Sequence, residues 1–136
     1  YLNMLTLYLA YYSSMFGIGQ FTIQDMNVGR AVLYGEPAPS KMRIALAQTG
    51  SIEIELIQVL EGGELYTEFL SNKGEGLHHL GIYIDDFDAY DRILAELANQ
   101  GIKPIFSFRR FRVSFACLDT QAVGGAILEL IHLERR

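Results

Sequence analysis

Three side chains of this sequence have the chemistry of metal ligands. Glu55 and Glu129 each stand inside an apolar run that is typical of a strand, and His79 follows a second histidine in the stretch GLHHLG. We expect both carboxylates to be buried, which is costly unless they are paired with a cation or bound to a metal. Carboxylate oxygens combined with an imidazole nitrogen suit zinc, manganese, iron, cobalt or nickel. The three residues therefore predict a site for one divalent metal ion.

Two arginines leave a second interpretation open. Arg43 and Arg112 stand at matching places in two similar stretches of sequence, and each could neutralise one of the two glutamates. Structural ion pairs of this kind resemble functional sites and must be weighed against the metal. His78 is left out of both interpretations, because side chains alternate along a strand and His78 would then point away from His79.

The two glutamates belong to an internal repeat. The sequence MRIALA, then a turn and IELIQV, is similar to FRVSFA, then a longer turn and LELIHL. A repeated strand pair indicates the duplication of one supersecondary unit. On the first strand of each copy, alternation separates a bulky face from a face that carries an arginine and small residues. We expect the bulky face to pack on helices and the other face to line a cavity.

Periodicity and breakers predict the elements that position these residues. Helices are expected from Met4 to Phe16, ended by Gly17, over 64–71, and over an amphipathic stretch that Asp85 or Asp86 caps and Gly101 ends. Strands are expected over 20–24, 28–34, 41–48, 52–59, 77–84, 103–108, 110–118 and 125–133. The second half is then strand, helix and three strands, and the first half is similar but lacks the opening strand.

Composition limits the class of protein. The chain has 136 residues, of which half are apolar and a fifth charged, as in a single soluble domain. A net charge of −5 argues against nucleic-acid binding as a main role. The lone Cys117 excludes an intrachain disulfide and favours a reducing, cytoplasmic location. The apolar stretch from Leu2 to Met15 is too short to span a bilayer and lacks a basic start, so no membrane role is expected.

Two motifs resemble those of a known superfamily. The stretch NKGEGLHHLG at 72–81, followed by Ile84-Asp85-Asp86, and GGAILEL at 124–130 resemble the vicinal oxygen chelate superfamily, and most of all its methylmalonyl-CoA epimerase-like members. The resemblance implies an α+β fold of two βαβββ modules, the first here without its opening strand, whose curved sheets surround one cavity.

The resemblance also implies a ligand set. Carried over residue by residue, the metal ligands are Glu55, His79 and Glu129, and Glu129 is also an acid/base group. The fourth ligand, a histidine on the opening strand, has no counterpart in this sequence. Arg43 stands where the epimerases have a second acid/base glutamate. Since a guanidinium does not give up its proton at working pH, a two-base epimerase is not expected.

These observations predict a metal-dependent isomerase or lyase that acts on a small anionic substrate able to chelate the metal through its oxygens. Arg43 and Arg112 would hold the anionic part of the substrate. The alternative is a ligand-binding protein of the bleomycin-resistance kind, which uses the same cavity without catalysis. In both cases we expect one domain, with a first module over about 1–60, a connection over 61–76 and a second module over 77–136, assembled as a homodimer.

Overall fold

The computed structural model describes residues 4–134, which form three helices and nine strands. In chain order these are α1 (Met4–Phe16), β1 (Thr22–Val28), β2 (Val32–Leu33), β3 (Glu36–Pro37), β4 (Ser40–Thr49), β5 (Ile52–Gly62), α2 (Glu64–Lys73), β6 (His79–Tyr83), α3 (Phe87–Asn99), β7 (Pro104–Arg110), β8 (Val113–Leu118) and β9 (Ile127–Leu133). The predicted α+β class is confirmed. None of these helices has the length and apolar character needed to span a membrane.

The described chain divides into two compact units. The first consists of residues 4–27 and 40–63, and the second of residues 28–39 and 64–134. The segment 28–39 comes before the predicted module boundary near residue 60, but it belongs to the second unit. Its strands β2 and β3 join the sheet of the second unit, because Val32 and Leu33 pair with Ser107 and Phe106 of β7.

The first unit contains α1 and a three-stranded sheet in the order β1-β4-β5. Helix α1 has the predicted bounds, and Gly17 takes the left-handed φ of 64° that ends it. Strands β4 and β5 form the predicted antiparallel hairpin across Gly50, whose φ is 60°. β5 continues three residues beyond the predicted strand, to Gly62.

The register of the hairpin puts Arg43 and Glu55 on opposite faces. Glu55 is opposite Leu46, whereas Arg43 is opposite Gln58, and residues 43 and 46 point to different sides of β4. Arg43 lies in a groove with Leu5 and Leu9 of α1. The face of β4 that carries Arg43 is therefore on the side of α1 and borders an open groove there, whereas the bulky face was expected to be the one on the helix side.

The second unit has a six-stranded sheet in the order β3-β2-β7-β8-β9-β6. β6 and β9 are parallel, and the other neighbouring strands are antiparallel. Helix α3 connects β6 to β7. The opening strand of this half thus lies beside its closing strand, which is the βαβββ arrangement predicted for the second module.

Helix α3 covers one face of that sheet. Its Tyr90 packs on Leu118 and Leu130, together with Leu94 and Leu97. Residues 114, 116 and 118 share this face by alternation, so the face of β8 that was expected to line a cavity lies against the helix instead. Both faces of β8 are buried, which is why side-chain size along the strand does not reveal which face meets α3.

Candidate functional site

Strands β6 and β9 bring His79 and Glu129 into contact. His79 is paired with Ile127 and Gly81 with Glu129, so the four residues share one face of the parallel pair. His79 Nε2 lies 2.8 Å from Glu129 Oε2, and the two side chains are only 10% and 9% exposed. Two of the three predicted ligands are thus in contact and largely shielded from solvent, on the sheet face opposite α3.

Gly81 allows the two strands to pack closely beside this pair. A Cβ atom at position 81 would lie 2.9 Å from Ile131 Cδ1, which is closer than a Cβ contact allows. A side chain at position 81 would therefore have to displace the end of the Ile131 side chain.

The contact between His79 and Glu129 fits two adjacent positions of a metal-ion site. Metal bonds to imidazole nitrogen and carboxylate oxygen are about 2.0–2.2 Å long, so two ligand atoms at right angles around one ion are about 3 Å apart. The observed 2.8 Å is close to that spacing. Within residues 4–134, no three His, Cys, Asp or Glu side chains gather as ligands of one ion. The third ligand, Glu55, and the identity of the metal stay predictions.

Glu55 and Glu129 hold equivalent places in their hairpins. Leu46 of β4 is opposite Glu55 in β5, and Cys117 of β8 is opposite Glu129 in β9. Their burial differs, however. Glu129 is buried, with 7% of its surface exposed, whereas Glu55 is exposed, so the expectation of burial was correct for Glu129 alone.

The ring of His78 contacts the ring of His79, and the sequence had not predicted this contact. Its Nδ1 is 3.0 Å from His79 Nδ1, and its ring packs on Tyr66 and Phe69 of α2 with centroid distances of 4.8 and 5.0 Å. The prediction that His78 points to the opposite face is wrong because β6 begins at His79, and alternation does not extend to a residue before the strand. The adjacent histidines in the sequence were the available signal.

Arg43 forms an ion pair in the first unit. Its Nε and Nη2 donate to Asp25 Oδ1 and Oδ2 at 2.7 and 2.9 Å, in an open groove of about 490 Å³ between α1 and β1. The hydrogen bonds from Arg43 hold the pKa of the Asp25 carboxyl below its usual value, and Asp25 in turn raises the pKa of Arg43. Arg43 thus makes a bidentate pair, but with an aspartate that the sequence did not single out.

Arg112 lies outside the strand in which it was expected. It belongs to the turn between β7 and β8, is exposed, and has its guanidinium 5.7 Å from the centre of the Phe111 ring. The hairpin register makes Ser114, rather than Arg112, the equivalent of Arg43, because both lie three residues before the partner of a glutamate. A substrate-binding role for either arginine stays a prediction.

Comparison with known proteins identifies the family. Residues 4–115 match the model of the Glyoxalase/Bleomycin resistance protein/Dioxygenase superfamily. The uncharacterized protein YqjC of Bacillus subtilis (strain 168) is 29% identical over 124 residues, which cover 84% of this chain and 86% of that protein.

Solved structures share the fold. Methylmalonyl-CoA epimerase from Mycobacterium tuberculosis superposes with a TM-score of 0.68 at 20% identity, covering 96% of this chain and 81% of the other. A Streptomyces coelicolor methylmalonyl-CoA epimerase variant in complex with 2-nitronate-propionyl-CoA gives 0.69 at 18% identity, covering 97% and 90%. The hypothetical protein BH1468 from Bacillus halodurans C-125 gives 0.67 at 19% identity, covering 100% and 90%. The resemblance seen in the two motifs is confirmed, and this chain belongs to the glyoxalase/bleomycin resistance protein/dioxygenase superfamily.

Proposed function

We propose that this protein is a metal-dependent isomerase or lyase that moves a proton on a small anionic substrate through Glu129. The observation that carries the proposal is the contact of 2.8 Å between His79 Nε2 and Glu129 Oε2, made by two side chains that are almost shielded from water. A carboxylate and an imidazole held in this way have the donor atoms for a divalent metal and a group that can accept a proton.

Each residue of the proposed site has its own role. His79 Nε2 and Glu129 Oε2 would hold the ion, with Glu55 as a third ligand from the equivalent strand of the first unit. When bound, a divalent metal supplies Lewis acidity toward the oxygens of a substrate. Glu129 has a second carboxylate oxygen, which we assign to take a proton from the carbon beside the substrate carbonyl. The low exposure of Glu129 keeps water away and strengthens its electrostatic interactions.

A single acid/base group favours some isomerase and lyase reactions over inversion by two bases. On β4, the face shared with Glu55 carries Met42, Ile44 and Leu46, whose side chains cannot exchange protons. Arg43 lies on the opposite face and stays protonated. Inversion by two bases needs a proton acceptor on each side of the reacting carbon. Because β4 does not provide a second one beside Glu55, Glu129 acts alone in this proposal.

Hydrogen exchange tests the proposal. Methylmalonyl-CoA serves as the probe, since it is the ligand in one similar epimerase structure. With Co²⁺ in deuterated water, we expect metal-dependent deuterium uptake beside the thioester carbonyl, which NMR detects. Glu129→Gln should abolish the uptake, and the exposed Glu134→Gln serves as the matched control. Uptake that persists in Glu129→Gln would contradict the assigned role, whereas binding without uptake would favour the ligand-binding alternative.

We also propose that the protein assembles as a homodimer through helix α1. Helix α1 exposes five large apolar side chains, each between 48% and 67% exposed, which are Met4, Leu7, Tyr11, Met15 and Phe16. Burial of such side chains against a second copy would remove apolar surface from water. Light scattering at several protein concentrations tests this, and a monomer at every concentration would rule out the dimer.

A further inference from the structure

We propose that His78 is a positioning residue that accepts a hydrogen bond from His79 Nδ1 when His79 Nε2 binds the metal. The inference rests on the proposed metal site and adds a residue to it. It starts from the distance of 3.0 Å between the two Nδ1 atoms, which only one proton can bridge. One ring must donate and the other must accept.

For a neutral His79, the contact with Glu129 sets the direction of this hydrogen bond in the metal-free protein. If His79 carried its proton on Nδ1, the lone pair of Nε2 would face the lone pairs of Glu129 Oε2 across 2.8 Å. That arrangement is repulsive. A neutral His79 therefore carries its proton on Nε2, donates it to Glu129, and accepts at Nδ1 from His78.

A metal ion reverses this arrangement. Metal ligation uses the lone pair of Nε2, so the proton of a neutral His79 must lie on Nδ1, where metal-bound histidines usually donate to a neighbouring acceptor. His78 Nδ1 is in place to be that acceptor. Both rings stay neutral: His79 loses its Nε2 proton and takes the Nδ1 proton from His78, while His78 gains a proton at Nε2. Since His78 Nε2 is buried, this exchange requires a transient opening of the site to solvent.

The surroundings of His78 suit a positioning role. Tyr66 and Phe69 pack on its ring from α2, and Tyr66 is buried with 7% of its surface exposed. The aromatic contacts restrict the ring, and the ring restricts the orientation of His79. His78 thus connects the end of α2 to the ligand on β6, because a fixed acceptor keeps Nε2 directed at Glu129.

Two substitutions separate the ring from its nitrogen. His78→Phe keeps an aromatic ring against Tyr66 and Phe69 but removes the acceptor. His78→Asn loses the ring and keeps a polar atom near the position of Nδ1. In Zn²⁺ titrations of the full chain, we expect His78→Phe to raise the dissociation constant about 10–100-fold, as is typical when such a partner is lost. We expect His78→Asn to stay within about threefold of wild type, and thermal unfolding checks that each variant is folded.

Nitrogen-15 NMR of the histidine rings gives a readout independent of activity. We expect His79 to be protonated at Nε2 without metal and at Nδ1 with Zn²⁺, and His78 to change in the opposite sense. Equal Zn²⁺ affinity of His78→Phe and wild type, or an unprotonated Nδ1 of His79 in the Zn²⁺-loaded protein, would overturn the inference while leaving the metal site intact. A wild-type protein that binds no Zn²⁺ would overturn the metal site and the inference with it.

Discussion

Arg43 and Glu55 point away from each other across the β4–β5 hairpin, and Arg43 is held by Asp25 through two hydrogen bonds of 2.7 and 2.9 Å. We therefore expect Arg43→Ala to leave the Zn²⁺ dissociation constant unchanged within about twofold. The measurement is a Zn²⁺ titration of folded protein, with Glu55→Gln compared in parallel. Glu55→Gln should weaken binding, because it removes a predicted ligand. A large loss of affinity in Arg43→Ala would mean that the face on the helix side takes part in the site.

Gly81 and Ile131 provide a test of packing beside the site. Gly81→Ala should change the free energy of unfolding by no more than about 1 kcal/mol, since the only atom that its Cβ would meet, Ile131 Cδ1 at 2.9 Å, is the end of a flexible side chain that can turn aside. Ile131→Val removes that Cδ1 atom, so the double variant should be more stable than the sum of the two single changes predicts, by about 0.5 kcal/mol or more. Urea unfolding of the four proteins measures this coupling. Strict additivity would show that the two side chains do not clash.

The cap of α3 distinguishes two aspartates that the sequence left as alternatives. Asp86 accepts from the backbone nitrogens of Asp88 and Ala89 at 3.4 and 3.1 Å. Asp86→Ala should cost about 1 kcal/mol of stability, because the first turn loses its acceptor. Asp85→Ala is the matched control, and a change within about 0.5 kcal/mol is expected at that exposed position. Equal losses at both positions, measured by urea unfolding, would contradict the assignment of the cap.

Tyr90 should make stability depend on pH in alkaline solution. Burial between α3 and the sheet raises the pKa of Tyr90 to about 12, above its ordinary value of 10. The folded state therefore favours the neutral phenol, and this contribution is complete below pH 10 and is lost as the pH rises toward 12. Tyr90→Phe should lose less stability than wild type between pH 9 and about 11.5, as measured by urea unfolding. Tyr34→Phe, at an exposed tyrosine between β2 and β3, is the control, and a wild-type response from Tyr90→Phe would contradict the prediction.

Local signals predicted most of the elements. The bounds of α1, the β4–β5 hairpin and the cap of α3 depend on glycine, on alternation and on a short-range hydrogen bond, all of which lie within a few residues of sequence. Segment 28–39 was not predictable in this way. Its strands are two residues long, and they are held by long-range contacts such as the hydrogen bond of 2.8 Å from Tyr34 N to Ile105 O.

The site was predictable in part. The repeat and the motifs identified His79 and Glu129, and the structure brings these two together. The faces of β4 and β8 were assigned wrongly, because alternation divides a strand into two sets of side chains without showing which set meets a helix. His78 was missed because the start of β6 differs by two residues from the predicted strand, and that difference decides whether alternation applies to it.

Whether His79 and Glu129 hold one metal ion is tested most directly by anomalous diffraction from crystals of the protein grown with Zn²⁺. We expect an anomalous peak about 2.0–2.2 Å from both His79 Nε2 and Glu129 Oε2. The absence of a peak there at saturating Zn²⁺, with the two side chains still in direct hydrogen-bond contact, would contradict the metal site.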